Sequence, residues 1–130
     1  MIRIIALSML AVGSLALQLA SAQQPGVKRT ELQRHDLSVP GREVIQVRVE
    51  IDPGVGLPLH SHPGEEIVYV LEGTWEFQVE GQKTRTLMAG DVAFVPMGAK
   101  HAPKNIGSTK GAALATYIVE KGKPLVVPAK

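Results

Sequence analysis

Three side chains able to hold a metal or move a proton crowd into one stretch, Gly54–Gly73: His60, His62 and Glu66. On an extended strand alternate residues share a face, so His60 and His62 aim at one point. Pro63-Gly64 turns the chain. Glu66 then opens an apolar run, Ile67-Val68-Tyr69-Val70-Leu71, with the character of a buried strand. A fourth candidate, His101, follows Pro96-Met97-Gly98. Imidazoles and a carboxylate converging on one point form a site for a divalent transition metal. Glu65 and Glu66 are neighbours and must face opposite ways on a strand. Parity with His60 and His62 selects Glu66 and leaves Glu65 at the surface or rim. His35 stands alone among polar residues and is read as exposed.

The elements that position these groups are short. The chain has 130 residues, room for one domain, and its nine prolines and thirteen glycines favour strands and turns over long helices. Val27–Val39 reads as an edge strand or an extended arm. Glu43–Ile51 is a strand ended by Asp52-Pro53-Gly54, and Leu57–His62 is the strand that carries the first two histidines. Ile67–Leu71 meets Thr74–Glu80 across Glu72-Gly73, a tight hairpin signal. In the second of these, Trp75, Phe77 and Val79 alternate with Glu76, Gln78 and Glu80, a half-buried pattern. Lys83–Met88, Val92–Val95, a short strand from His101 to Asn105 and Ala112–Val119 complete the set. Eight or nine strands at this spacing predict an all-β jelly roll or similar closed barrel, open at a mouth where a small ligand sits.

Met1–Ala22 has the form of a secretory signal: Arg3, an apolar stretch Ile4–Ala20 and a small-x-small cleavage site, Ala20-Ser21-Ala22. The run is short for a membrane span of about 20 residues, so cleavage before Gln23 and a secreted or periplasmic protein with no membrane attachment are expected. The divisions are then a signal at 1–22, an N-terminal arm or edge strand at 23–42, a barrel at 43–119 and a tail at 120–130 that crosses the barrel surface or frays. There are no cysteines, which excludes disulfides and thiol catalysis. The net charge is +2 with scattered lysines, and without a basic stripe no nucleic-acid partner is expected.

Two motifs now stand out. The first is Gly54, five residues, His60-x-His62, three residues, Glu66, six residues, Gly73; the second is Gly90, five residues, Pro96-x-Gly98, two residues, His101, three residues, Asn105. Sixteen residues separate them. This pattern resembles the cupin superfamily over roughly Glu43 to Val119. The resemblance implies a single cupin-type jelly-roll β-barrel (a double-stranded β-helix) with His60, His62, Glu66 and His101 as metal ligands. It makes Gly54, Gly73, Gly90, Pro96 and Gly98 turn residues and Asn105 a hydrogen-bonding barrel residue. A homodimer paired through outer strands is also in keeping with it.

Three neutral imidazoles and one carboxylate around a divalent ion leave a net charge of +1 and, in an octahedral field, two open positions. Fe, Mn, Ni, Co, Cu and Zn all suit such a set. Glu66 either stays a ligand or serves as general base. The expected function is that of an exported metal-dependent enzyme, dioxygenase-like or isomerase/lyase-like, acting on a small oxygenated molecule. The alternative is a non-catalytic periplasmic metal or small-molecule binding module; a storage role ranks last. Tyr69, Trp75, Phe77, Phe94, Met97 and Tyr117 are candidate pocket walls, with ordinary barrel packing as the competing assignment.

Overall fold

The computed structural model describes residues 23–130. The secretory signal expected at 1–22 lies outside the described residues. The described chain contains ten strands and no helix: β1 (Val27–Asp36), β2 (Arg42–Ile51), β3 (His60–Ser61), β4 (Gly64–Glu72), β5 (Thr74–Val79), β6 (Arg85–Met88), β7 (Val92–Val95), β8 (His101–Asn105), β9 (Gly111–Glu120) and β10 (Val127–Pro128). They form two five-stranded antiparallel sheets, ordered β1-β2-β9-β4-β7 and β10-β3-β8-β5-β6. This is the jelly roll that the turn spacing predicted.

Alternation along each strand decides what lies between the sheets. In β2, Ile45, Val47, Val49 and Ile51 face inward, and in β5 Trp75, Phe77 and Val79 meet them from the other sheet. β9 lies at the centre of the first sheet, paired along its length with β2 and β4. Its inward positions are mostly small, Ala113 and Ala115, until Tyr117. The one large polar side chain on that face therefore arrives next to the site.

Two expectations change. Glu72-Gly73 is not a hairpin. β4 pairs with β7 and β9, whereas β5 pairs with β6 and β8, so Glu72-Gly73 is a corner where the chain leaves one sheet for the other. Gly73 takes φ +86°, and a Cβ there would come within 2.8 Å of Gly111 Cα, so the corner demands glycine. Leu57–His62 is a strand only at His60–Ser61; before it, a single bridge joins Gly56 to Lys104. Pro58 has no N–H to give a ladder. The tail does not fray: β10 pairs with β3, and the Ala129 N–H donates to the Leu59 carbonyl at 3.0 Å.

β4 begins at Gly64, directly opposite Val119 of β9. A Cβ on Gly64 would lie 2.0 Å from the Ile118 carbonyl oxygen and 2.7 Å from Val119 Cα, both backbone atoms in a central strand. Gly64→Ala should therefore lower stability by about 1–3 kcal/mol or more, read as a fall in the urea midpoint without a change in slope. An unchanged midpoint would show that the two strands are not so tightly apposed.

Candidate metal centre

The site bridges the two sheets. His60 on β3 faces His101 on β8 across one register pair. Glu66 on β4 stands opposite Tyr117 on β9 and Val95 on β7. His62 follows β3, where its carbonyl accepts the Gly98 N–H at 3.2 Å, so the Pro96-Met97-Gly98 turn supports a histidine distant from it in sequence. All four candidate groups are buried: His60, His62, Glu66 and His101 are 1–5% exposed. Glu65 is only partly buried and on the other face of β4, and His35 is exposed.

The imidazole orientations have a common cause. His60 Nδ1 lies 2.7 Å from the Pro58 carbonyl, His62 Nδ1 2.6 Å from the Leu125 carbonyl and His101 Nδ1 3.1 Å from the Ala99 carbonyl. A carbonyl only accepts, so each Nδ1 carries a proton and donates it. In a neutral ring the lone pair is then on Nε2. The three rings gather around a common centre, tilted or edge-on to one another, with centroids 4.2–5.0 Å apart. One nitrogen from each lies within 4.8 Å of the others.

Glu66 completes the cluster. Its Oε2 is 2.8 Å from His101 Nε2 and 3.3 Å from His62 Nε2. Despite these separations, His62 Nε2 and Glu66 Oε2 are buried with no aligned hydrogen-bond partner. Lone pairs that face one another this closely repel unless a proton or a cation lies between them. The donor set of three imidazole nitrogens and a carboxylate oxygen is that of a first-row transition metal, and the orphaned atoms fit such an ion. Burial alone would raise the Glu66 pKa, but the adjoining His101 and His62 imidazoles outweigh it and hold the carboxyl at about 2. For His60, burial dominates and lowers the pKa to about 4, so its ring stays neutral at physiological pH.

Tyr117 lies beside the cluster, its ring 4.7 Å from that of His62. Burial first, then the Glu66 charge, push its hydroxyl well above the usual tyrosine range, while the nearby Arg29 guanidinium opposes them. The hydroxyl therefore stays neutral. Beyond it opens a cavity of about 700 Å³, walled by Val27 and Arg29 of β1, by Leu57–His60 and by Leu125 and Val126 of the tail. Of the proposed pocket walls, Tyr117 touches the site, and Phe77 lies against His101 with ring centroids 6.2 Å apart. Trp75 is core, its indole N–H donating to the Glu72 carbonyl at 2.9 Å. Tyr69, Phe94 and Met97 are 45–53% exposed and line nothing; Tyr69 and Phe94 belong to the outer face of their sheet. Asn105 is fully buried, its amide donating to Ile51 and Thr109 carbonyls and its oxygen accepting the Gly107 N–H.

Three contributors leave no signal in residue type or spacing. The Leu125 carbonyl acts through its backbone, which residue type does not report. Arg29 and the walls on β1 and the tail reach the site only through strand pairing.

The cupin domain family matches residues 47–119, more than half of the chain. The chain belongs to the cupin family. This cupin is 43% identical over 56 residues to dimethylsulfoniopropionate lyase DddQ of Ruegeria pomeroyi, an alignment covering 43% of this chain and 28% of that protein. It is 40% identical over 73 residues to an oxalate-binding protein of Thermotoga maritima, covering 55% and 60% respectively. The solved structure of recombinant oxalate oxidase in complex with glycolate superposes with a TM-score of 0.65 at 27% identity, over 81% of this cupin and 56% of that chain. The chain thus spans less than two thirds of the length of each of these three proteins.

Two predictions follow from the geometry around the rings. The unfolded chain binds a proton at His60 near pH 6.5, whereas the folded metal-free protein binds it only near pH 4. Stability is therefore lost as pH falls through that window, by about 1.4 kcal/mol per unit of displaced pKa at most. Glu66 adds a second loss, between its ordinary 4.5 and about 2. Urea midpoints of the metal-free protein should fall from pH 7 to pH 5, and His60→Gln should flatten that slope; an equal slope in the variant would refute the assignment. Removing residues 123–130 takes away the Leu125 carbonyl that orients His62. It should weaken Mn(II) or Zn(II) binding by about 10–100-fold while leaving a folded barrel by circular dichroism, and undiminished affinity would exclude an orienting role for the tail.

Proposed function

We propose that this cupin is an exported metal-dependent enzyme acting on a small oxygenated molecule, by dioxygenase-like or isomerase/lyase-like chemistry. The observation that carries it is the set of three buried imidazoles, each fixed through Nδ1 with Nε2 turned inward, beside the orphaned Glu66 oxygen and an open cavity. His60, His62, His101 and Glu66 would hold one divalent transition ion, which when bound supplies Lewis acidity and, for a redox metal, electrons. The chain's own contributions are distinct. His60 borders the cavity and so joins it to the cluster. Glu66, ionised at neutral pH, would either stay a ligand or accept a proton from a bound molecule. Tyr117 borders the cluster beside His62. The apolar walls at Leu57, Leu59 and Leu125 exclude water from the inner end. A lyase and an oxalate oxidase stand among the similar proteins, which supports a catalytic over a purely binding role.

Export rests on the Met1–Ala22 signal pattern. Self-pairing rests on the outer face of β4 and β7, where Ile67 opposite Phe94 and Tyr69 opposite Val92 form a contiguous apolar patch, each residue 43–54% exposed.

Native mass spectrometry of the protein isolated from its own cell envelope or medium, without added metal, reads all three features together. The expected species begins at Gln23, carries one transition ion per chain and is a dimer. Retention of residues 1–22, an ion-free protein or a monomer would each remove the corresponding statement. Turnover of a panel of enols, keto acids, dicarboxylates and sugars should vanish with chelator and return with Fe(II), Mn(II) or Ni(II). Reversible binding across the panel with no product would assign the binding-module role instead.

A further inference from the structure

We propose that Arg29 is the anion anchor of the cavity and that the substrate is a small organic acid, its carboxylate seated on Arg29 and an oxygen at its other end turned toward the His60–His62–His101–Glu66 cluster. The proposal rests on the metal-site reading for the second half of that statement and stands apart from it for the first.

Arg29 lies on β1, opposite Val49 of β2, in the register that sets Val27 opposite Ile51. Residues directly opposed in an antiparallel pair project to the same side. Val49 and Ile51 are core residues, so Arg29 projects inward at the barrel mouth. It is partly buried between the exposed Lys28 and Thr30. Two other arginines of the sheet are paired: Arg34 with Glu31 and Glu43 at 2.9 and 2.8 Å, and Arg48 with Glu50 and Glu72 at 3.9 and 3.8 Å. Arg29 has no acidic partner among the described residues. It and His60 line the same cavity, whose other walls are amide or apolar, so Arg29 is its only fixed cation. Tyr117 stands opposite Glu66 in the strand register and its ring lies 4.7 Å from that of His62, while the five donors of the Arg29 fork face the cavity.

A planar guanidinium matches a carboxylate with two parallel hydrogen bonds. One unpaired arginine balances one negative charge. A phosphate dianion would keep a net negative charge against that single cation, so a carboxylate is the better match. The leucine and proline walls suit the short carbon chain between the two ends.

Calorimetric titration of malonate, inorganic phosphate and the neutral 1,3-propanediol into metal-free and Mn(II)-loaded protein tests this. Malonate should bind both forms, more tightly with Mn(II), and phosphate more weakly. Arg29→Gln should weaken malonate by about 10–100-fold, the loss of charge-assisted hydrogen bonds, with Mn(II) affinity and propanediol binding unchanged. Arg29→Lys, which keeps the charge without the fork, should fall between, and serves alone if the glutamine variant does not fold. Equal malonate affinity in wild type and variants, absence of malonate binding to wild type, or tighter phosphate binding would each overturn the proposal. A wild type that binds malonate through Arg29 but takes up no Mn(II) would instead overturn the metal reading and leave the anchor standing.

Discussion

Three hydrogen bonds from imidazole to backbone carbonyl govern this molecule. The carbonyls of Pro58, Ala99 and Leu125 fix which nitrogen of each ring carries the proton and therefore which nitrogen faces the centre. A histidine ring without such a partner rotates and shares its proton between two positions, and its lone pair then has no fixed direction. Two of the carbonyls belong to the residue two before the histidine they hold, so the local chain path sets His60 and His101. His62 differs. Its partner is in the tail, and the pairing of β10 with β3 brings that partner into place. The outermost segment of the chain thus fixes one of the innermost groups.

Burial of four polar groups around one point is unfavourable in a metal-free barrel. The His62 and Glu66 atoms that lack aligned partners are where that unfavourable energy resides. The surrounding fold tolerates it because β9 and β2 are paired over ten residues and the core on either side is closely packed. A fold that was only marginally held would relax by letting Glu66 turn to solvent. Here Glu66 lies on a strand paired with β9 on one side and β7 on the other. Rigidity of the scaffold and readiness of the site for a cation are two aspects of one packing constraint.

Much of this was legible in the order of residues, and the reasons are local. Alternation identified the inner face of β5, because a period of two survives whatever the strand pairs with. Parity also separated Glu66 from Glu65. Turn residues located the strand ends, since Pro and Gly act on their own backbone. What failed was inference about partners. Glu72-Gly73 has the composition of a hairpin, and nothing in it tells a chain that returns along the same sheet from one that crosses to the other. Tyr69 and Phe94 are aromatic and lie near the motifs, yet they sit on the outward parity of β4 and β7, so their residue type misled where their position did not. Arg29 was hidden for the complementary reason: its segment is polar and reads as an arm, and only its register against Val49 turns it inward.

That register gives the arm a significance beyond edge protection. β1 covers β2 along its length and leaves its own outer side as a sheet edge. At its start it contributes an apolar residue, Val27, to the core and a cation to the cavity. The matched family region, 47–119, contains the candidate ligands but neither Arg29 nor Leu125. The part of the chain that resembles other cupins supplies a place for a metal. The segments on either side of it supply the carbonyl that meets the His62 ring and the cation on the cavity wall, so the surroundings of the cluster are set by strand pairing outside the matched region.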